Sequence, residues 1–136
     1  MTRWSRPEMQ NAIRDLSRRM QASNGAHRKA MLRAMRYCTD TPERGWILKS
    51  TRKWDGKDKN FEFRISGRAD ADYANCPITK KSVSGYRVSL EDAPVAIKSG
   101  LQRIVALSTT EAELIAAVLC VQEMMYVMRL LEGLEL

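Results

Sequence analysis

The sequence has a single histidine, His27, and only three cysteines, which lie far apart at Cys38, Cys76 and Cys120. One histidine is too few for the usual zinc sites or for a serine-type catalytic triad, so we expect neither. Three widely spaced cysteines form neither a disulfide framework nor a close metal-ligand motif. We therefore expect reduced thiols and no zinc chemistry.

Long apolar segments are also scarce. No apolar run approaches the roughly 20 residues that cross a bilayer, and the N-terminus has Arg3 and Arg6 but no apolar stretch typical of a secretory signal. With 136 residues, 44% of them hydrophobic, the chain can bury one core and a small appendage. These features predict an intracellular protein, cytoplasmic or nuclear, that does not contact a membrane.

Positive charge is concentrated in the first part of the chain. Residues 1–60 contain 15 Lys and Arg against 6 Asp and Glu, a net charge of +9, whereas residues 61–136 contain 8 against 10, a net charge of −2. A polyanionic partner would therefore be held mainly by the first part, and the second part could offer carboxylates to a cation.

The first 44 residues have the pattern of two basic amphipathic helices. Ser5 and Glu8 have the spacing of a capping box, and an apolar face follows at Met9, Ile13, Leu16 and Met20. A second helix is predicted over residues 26–38, with an inner face of Met31, Ala34, Met35 and Cys38. Its other side carries Lys29, Arg33 and Arg36, a stripe that fits either a phosphate backbone or a solvated surface. We expect an antiparallel helical hairpin.

From residue 45 onward the pattern changes to strands. Short apolar or alternating stretches predict strands over residues 45–50, 61–73, 83–90 and 95–98, with a bulge or bend at Gly67. Asp70 and Asp72 lie two residues apart on the second of these, so both side chains point to the same face. That pair fits a divalent cation, and equally the exposed end of a strand.

A long helix is predicted over residues 108–131. Ser108 and Glu111 have capping-box spacing, which gives Glu111 a structural role. Glu113 instead begins a helical column that continues through Ala117, Cys120 and Met124. Such a carboxylate is either a solvated first-turn acid favoured by the helix dipole or a ligand for a cation.

Several short blocks in this region resemble a known family. The blocks, in chain order, are Ala69-Asp70-Ala71-Asp72-Tyr73-Ala74, Lys81-Ser82-Val83-Ser84-Gly85-Tyr86, Lys98-Ser99 with Gln102, and Ala106-Leu107-Ser108-Thr109-Thr110-Glu111-Ala112-Glu113. Their order and spacing resemble the ribonuclease H region of copia-type LTR retrotransposon Pol polyproteins. The N-terminal part resembles the end of the reverse transcriptase that precedes that region.

The resemblance implies a fold and a chemistry. The expected fold is α/β (α+β), a truncated ribonuclease H-like domain over residues 45–136, with a three-stranded antiparallel sheet and a long helix, after a helical hairpin over residues 1–44. The implied activity is hydrolysis of RNA in an RNA–DNA hybrid with two Mg²⁺ ions. The resemblance implies Asp70 and Glu113 as catalytic metal ligands, with Asp72 as second choice, and it adds Lys98 and Gln102 to Lys29, Arg33 and Arg36 as nucleic-acid contacts.

One departure from the family changes the expected activity. Similar proteins continue into a further strand that bears another Asp, whereas the only acids here after Glu113 are Glu123, Glu132 and Glu135. We therefore expect this fragment to be inactive alone, with the rest of the Pol polyprotein as a partner. The missing strand would leave an unpaired sheet edge and an uncovered helix face, both open to self-association. The alternatives are a non-enzymatic basic module that binds nucleic acid or another protein, and a decayed remnant of an element.

Overall fold

The computed structural model describes residues 6–58 and 60–135, which form two compact units, Met1–Trp46 and Ile47–Leu136. The first unit is helical, and the second contains a sheet and a helix. The chain is thus of the mixed α/β class. Ser5, the predicted N-cap of the first helix, lies outside the described residues.

The first unit is built from two helices, α1 (Gln10–Ser17) and α2 (Gly25–Asp40). The Arg6 guanidinium, just before α1, donates to the carbonyl oxygen and the hydroxyl of Thr41, just after α2, at 3.0 and 2.7 Å. The two helices are therefore antiparallel, as predicted.

The first helix is shorter than predicted. α1 follows a 3₁₀ turn over Pro7–Met9 and gives way to another over Met20–Ala22. The hydroxyl of Ser17 donates to the carbonyl oxygen of Ile13 at 2.7 Å, a local bond that bends helices. The predicted apolar face from Met9 to Met20 is therefore not carried by one continuous α-helix.

The second unit contains strands β1 (Ile65–Asp72), β2 (Val83–Leu90) and β3 (Ala93–Leu101), in the antiparallel order β1-β2-β3. β2 has the predicted bounds, and β3 is longer than predicted. The strand predicted over residues 45–50 is wrong, because that segment is irregular and leaves Ile47 and Leu48 largely exposed. Residues 61–64 are irregular as well.

Helix α3 (Thr109–Gly133) packs on β1 and β2 and forms the core with them. Its fully buried positions are Ala112, Ala116 and Cys120. A Cβ atom on Gly67 of β1 would lie 2.5 Å from the Met124 sulfur and 2.6 Å from the Cys120 sulfur. Gly67 therefore allows α3 to approach β1 closely. The predicted bulge at Gly67 is wrong, because Gly67 pairs regularly with Val88.

α3 is also long and apolar enough to cross a membrane, judged by length and composition alone. The expectation that the sequence has no run of this kind was therefore wrong. One face of α3 is occupied by the sheet, where the Tyr86 hydroxyl donates to the Glu123 carboxylate at 2.8 Å. The other face is the exposed one.

Candidate functional site

The two candidate aspartates lie near the end of the edge strand β1. Asp70 is paired with Gly85 and Asp72 with Val83, and both aspartates are exposed. Because side chains alternate along a strand and Gly67 faces α3, Asp70 and Asp72 lie on the sheet face away from α3. Asp72 accepts a hydrogen bond from the side-chain amide of Asn75 in the following turn.

Glu113 lies in the first turn of α3 and is exposed. The buried column of α3 begins one residue earlier, at Ala112, and the predicted column member Ala117 is exposed. The prediction that Glu113 heads the buried column was therefore wrong by one position. Its neighbour Glu111 forms one half of the predicted capping box, because the Ser108 hydroxyl accepts the Glu111 N–H at 3.1 Å. The Glu111 carboxylate accepts the N–H of Leu107, one residue before the N-cap, at 2.6 Å.

The structure does not assemble these carboxylates into a metal site. Among residues 6–58 and 60–135, no three His, Cys, Asp or Glu side chains lie close enough together to hold a metal ion. Asp70 and Asp72 share one face of β1, and Glu113 lies on the helix that packs against the other face. The described residues therefore do not fit a pair of Mg²⁺ ions, and the metal role of these three residues remains a prediction.

Gln102, a predicted nucleic-acid contact, is 4% exposed. Its side-chain amide donates to the Ser84 hydroxyl and to the Ala112 carbonyl oxygen, both at 2.9 Å. These bonds join β2 to the first turn of α3 through the segment after β3. Gln102 is thus a structural residue, and it is not available to a nucleic acid at the surface.

The other predicted nucleic-acid contacts are exposed. Lys98 lies on β3, and the remaining three, Lys29, Arg33 and Arg36, lie on α2. At about 100° per residue these three fall within roughly 60° of the helix circumference, so they form one stripe. The stripe lies away from Met31 and Met35 of the same helix.

His27, the single histidine, caps α2. The Asn24 side-chain oxygen accepts the His27 N–H at 3.0 Å, and His27 Nδ1 accepts the Asn24 N–H at 3.2 Å. This capping box was missed because histidine is not the usual residue at its third position. Asn24 before a helical run was the signal that could have revealed it.

A second polar cluster, also missed, surrounds Glu91 in the turn between β2 and β3. The Glu91 carboxylate accepts hydrogen bonds from the Arg52 guanidinium at 2.6 and 2.8 Å and from the Arg64 N–H at 2.6 Å. The hydrogen bonds from Arg52, with that from the Arg64 amide, lower the pKa of Glu91 to about 2. The cluster holds the long segment before β1 against the hairpin.

Comparison with known proteins places this chain among transposon polyproteins. It is 32% identical over 135 residues to the retrovirus-related Pol polyprotein from transposon TNT 1-94 of Nicotiana tabacum, a match that covers 97% of this chain and 9% of that protein. It is 32% identical over 110 residues to the corresponding polyprotein from transposon RE2 of Arabidopsis thaliana, covering 81% of this chain and 7% of that protein. The chain belongs to the copia-type retrotransposon Pol polyprotein family.

A third relative is of another kind. The secreted RxLR effector protein 161 of Plasmopara viticola is 34% identical over 119 residues, covering 88% of this chain and 78% of the effector. By contrast, the chain spans less than a tenth of the two Pol polyproteins. No family model matches the chain, and no solved structure matches it.

Proposed function

We propose that this chain is the part of a Pol polyprotein that leads from the end of the reverse transcriptase into the ribonuclease H region. The proposal is supported by the order of secondary-structure elements in the second unit. An antiparallel meander with Asp70 on its first strand is followed by a helix with Glu113 in its first turn. In the whole polyprotein this region would act on RNA paired with DNA. The remaining parts of the polyprotein would be its partners, inside the cell.

The arrangement of acids limits what the chain does alone. Two-metal hydrolysis needs carboxylates that converge on the ions, and Asp70, Asp72 and Glu113 do not form such a group in the structure. We therefore propose that the isolated chain retains the framework of the nuclease but does not hydrolyse RNA. Further carboxylates, supplied by another segment, would be required.

Incubation of the chain with a labelled RNA–DNA hybrid and Mg²⁺ tests this proposal, with Asp70→Asn as the matched variant. We expect no cleavage above background from either protein. Cleavage by the parent chain that Asp70→Asn abolishes would contradict the proposed inactivity and would support a complete site. Cleavage that persists in the variant would indicate a contaminating nuclease.

A second candidate function is binding of nucleic acid without catalysis. It is favoured by the stripe of Lys29, Arg33 and Arg36, which is exposed on a helix in the basic part of the chain. The RxLR effector relative, of which this chain covers 78%, also indicates that a stretch of this kind can make up most of a protein much shorter than a Pol polyprotein. Binding to a hybrid that falls with salt but is unchanged by Mg²⁺ and by Asp70→Asn would support this function.

A further inference from the structure

Two arginines lie opposite each other on the sheet face away from α3. Arg68 of β1 is paired with Arg87 of β2, and both residues are exposed. Their neighbours Gly67 and Val88 face α3, and side chains alternate along a strand, so both arginines point to the other face. Side chains opposed in this way have Cβ atoms about 5 Å apart, and like charges there destabilise a sheet. An anion bound between the two guanidinium groups would remove this repulsion.

Acids of the chain do not neutralise this pair. Among residues 6–58 and 60–135, neither Arg68 nor Arg87 forms an ion pair. Asp70 and Asp72 lie further along the same face of β1, where Asp72 accepts a hydrogen bond from Asn75. The arginines of the segment before β1 are, by contrast, paired with acids of the turn between β2 and β3: Arg52 with Glu91, and Arg64 with Asp92. On this face, positive charge is thus uncompensated at the two opposed arginines, and negative charge lies towards the end of β1.

The surroundings of Arg87 suit the binding of a phosphate group. Arg87 Nε donates to the hydroxyl of Ser89 at 3.1 Å, and Ser89 is only 2% exposed. This bond orients the guanidinium group and leaves its two terminal nitrogens as donors. Gly85 lies next on the same face of β2, and a Cβ there would meet only the Asp70 carbonyl oxygen, at 3.9 Å, so there is room beside Arg87. Guanidinium groups bind phosphate oxygens through pairs of parallel hydrogen bonds, and a phosphate is therefore the anion that fits best.

We propose that Arg68 and Arg87 together bind a backbone phosphate of an RNA–DNA hybrid. The proposal rests on the proposed function, in which this region acts on RNA paired with DNA. Asp70 lies two residues along β1 from Arg68, about 6.8 Å, so a backbone held by the two arginines would pass beside Asp70. The site belongs to the second unit, is separate from the stripe on α2, and requires no metal ion. Neither arginine was among the predicted nucleic-acid contacts.

Binding of a labelled RNA–DNA hybrid to the full chain tests the site, by fluorescence anisotropy in EDTA over a series of salt concentrations. The test variant combines Arg68→Ala with Arg87→Ala. Its control combines Arg103→Ala with Arg129→Ala, which are exposed and remove the same charge from the second unit. We expect the test variant to lower the slope of log affinity against log salt concentration by about 1 to 2, and the control to leave it nearly unchanged. Combining Arg68→Lys with Arg87→Lys should retain the slope, because the charge is kept, but should weaken binding about threefold or more, because the paired donors are lost.

Modification of arginines by phenylglyoxal, located by mass spectrometry, tests the same contact directly. The hybrid should protect Arg68 and Arg87 but not Arg103 or Arg129. Equal protection by inorganic phosphate at the same phosphate concentration would indicate a site for the free ion and would overturn the proposal. It would also be overturned by a parent chain that binds no hybrid, by equal slopes of the alanine variant and its control, or by a lysine variant that loses the slope. Cleavage of the hybrid once Mg²⁺ is added would contradict only the proposed inactivity, since binding is measured in EDTA.

Discussion

The Arg52 guanidinium donates to both carboxylate oxygens of Glu91, across 39 residues of chain, at 2.6 and 2.8 Å. The Glu91 side chain is only 4% exposed, whereas that of Arg52 is 51% exposed. A third bond, from the Arg64 N–H, completes the contacts of the carboxylate. Glu91 thereby joins the turn between β2 and β3 to both ends of an irregular segment that has no strand of its own.

This relationship predicts a pH dependence of stability. The pKa of Glu91 is about 2 in the folded chain and close to 4.5 when unfolded. Because the folded pKa is the lower one, the stabilisation is complete above about pH 4.5 and is lost as the pH falls towards 2. Urea unfolding of the parent chain and of Glu91→Gln should differ at pH 6 in favour of the parent, and the difference should shrink at pH 3. A difference that is the same at both pH values would contradict this assignment.

The close contact at Gly67 predicts a steric cost. Gly67→Ala would place a methyl group 2.5 and 2.6 Å from the sulfur atoms of Met124 and Cys120. We expect the free energy of unfolding to fall by about 1 to 3 kcal/mol, as in overpacked cores. Gly100→Ala is the control, since a Cβ there meets nothing within 4 Å. Equal effects of the two substitutions in thermal or urea unfolding would show that α3 is not fixed at Gly67.

The burial of Gln102 separates a structural role from a binding role. Gln102→Leu removes the donor to the Ala112 carbonyl oxygen and to Ser84. The Ala112 carbonyl oxygen and the Ser84 hydroxyl each lose one hydrogen bond from the buried amide, which should lower the free energy of unfolding by about 1 to 3 kcal/mol. Affinity for an RNA–DNA hybrid, measured by fluorescence anisotropy on folded protein, should not change. Loss of affinity with unchanged stability would restore Gln102 as a nucleic-acid contact.

The stripe on α2 predicts a change in the salt dependence of hybrid binding. Replacing Lys29, Arg33 and Arg36 by Ala should lower the slope of log affinity against log salt concentration by about 2 to 3, if each residue contacts one phosphate. The matched control replaces Lys49, Lys53 and Lys57, which are exposed and remove the same charge. If both triple variants lower the slope equally, binding reflects net charge alone.

Local patterns predicted the parts of the fold that local interactions determine. The bounds of β2 follow from its alternation, and the start of α3 follows from Ser108, whose hydroxyl accepts an N–H of the first turn. The rotation of α3 could not be predicted in this way. It depends on the contact of Cys120 and Met124 with Gly67, more than 50 residues away, and this contact directs Ala112 inward in place of Glu113.

The predictions that failed concern partners distant in sequence. The apolar residues Ile47 and Leu48 predicted a strand, but strands require a neighbour to pair with, and the sheet ends at β1 and β3. The resemblance implied Gln102 as a nucleic-acid contact, which stays a prediction, and nothing near Gln102 in sequence indicates its hydrogen bond to the carbonyl oxygen of Ala112. The geometry of the candidate carboxylates was unpredictable for the same reason.

The missing side chain at Gly67 also fixes the position of α3 along its axis. Moving α3 lengthwise by a turn, about 5.4 Å, would remove Cys120 and Met124 from the only place along β1 where no side chain opposes them. This contact therefore opposes movement of α3 along its axis. Glu113, in the first turn of α3, keeps a fixed position relative to the strands. A further segment that supplied additional carboxylates to this site would therefore have to position them relative to Glu113, whose place is already fixed by the packing of α3.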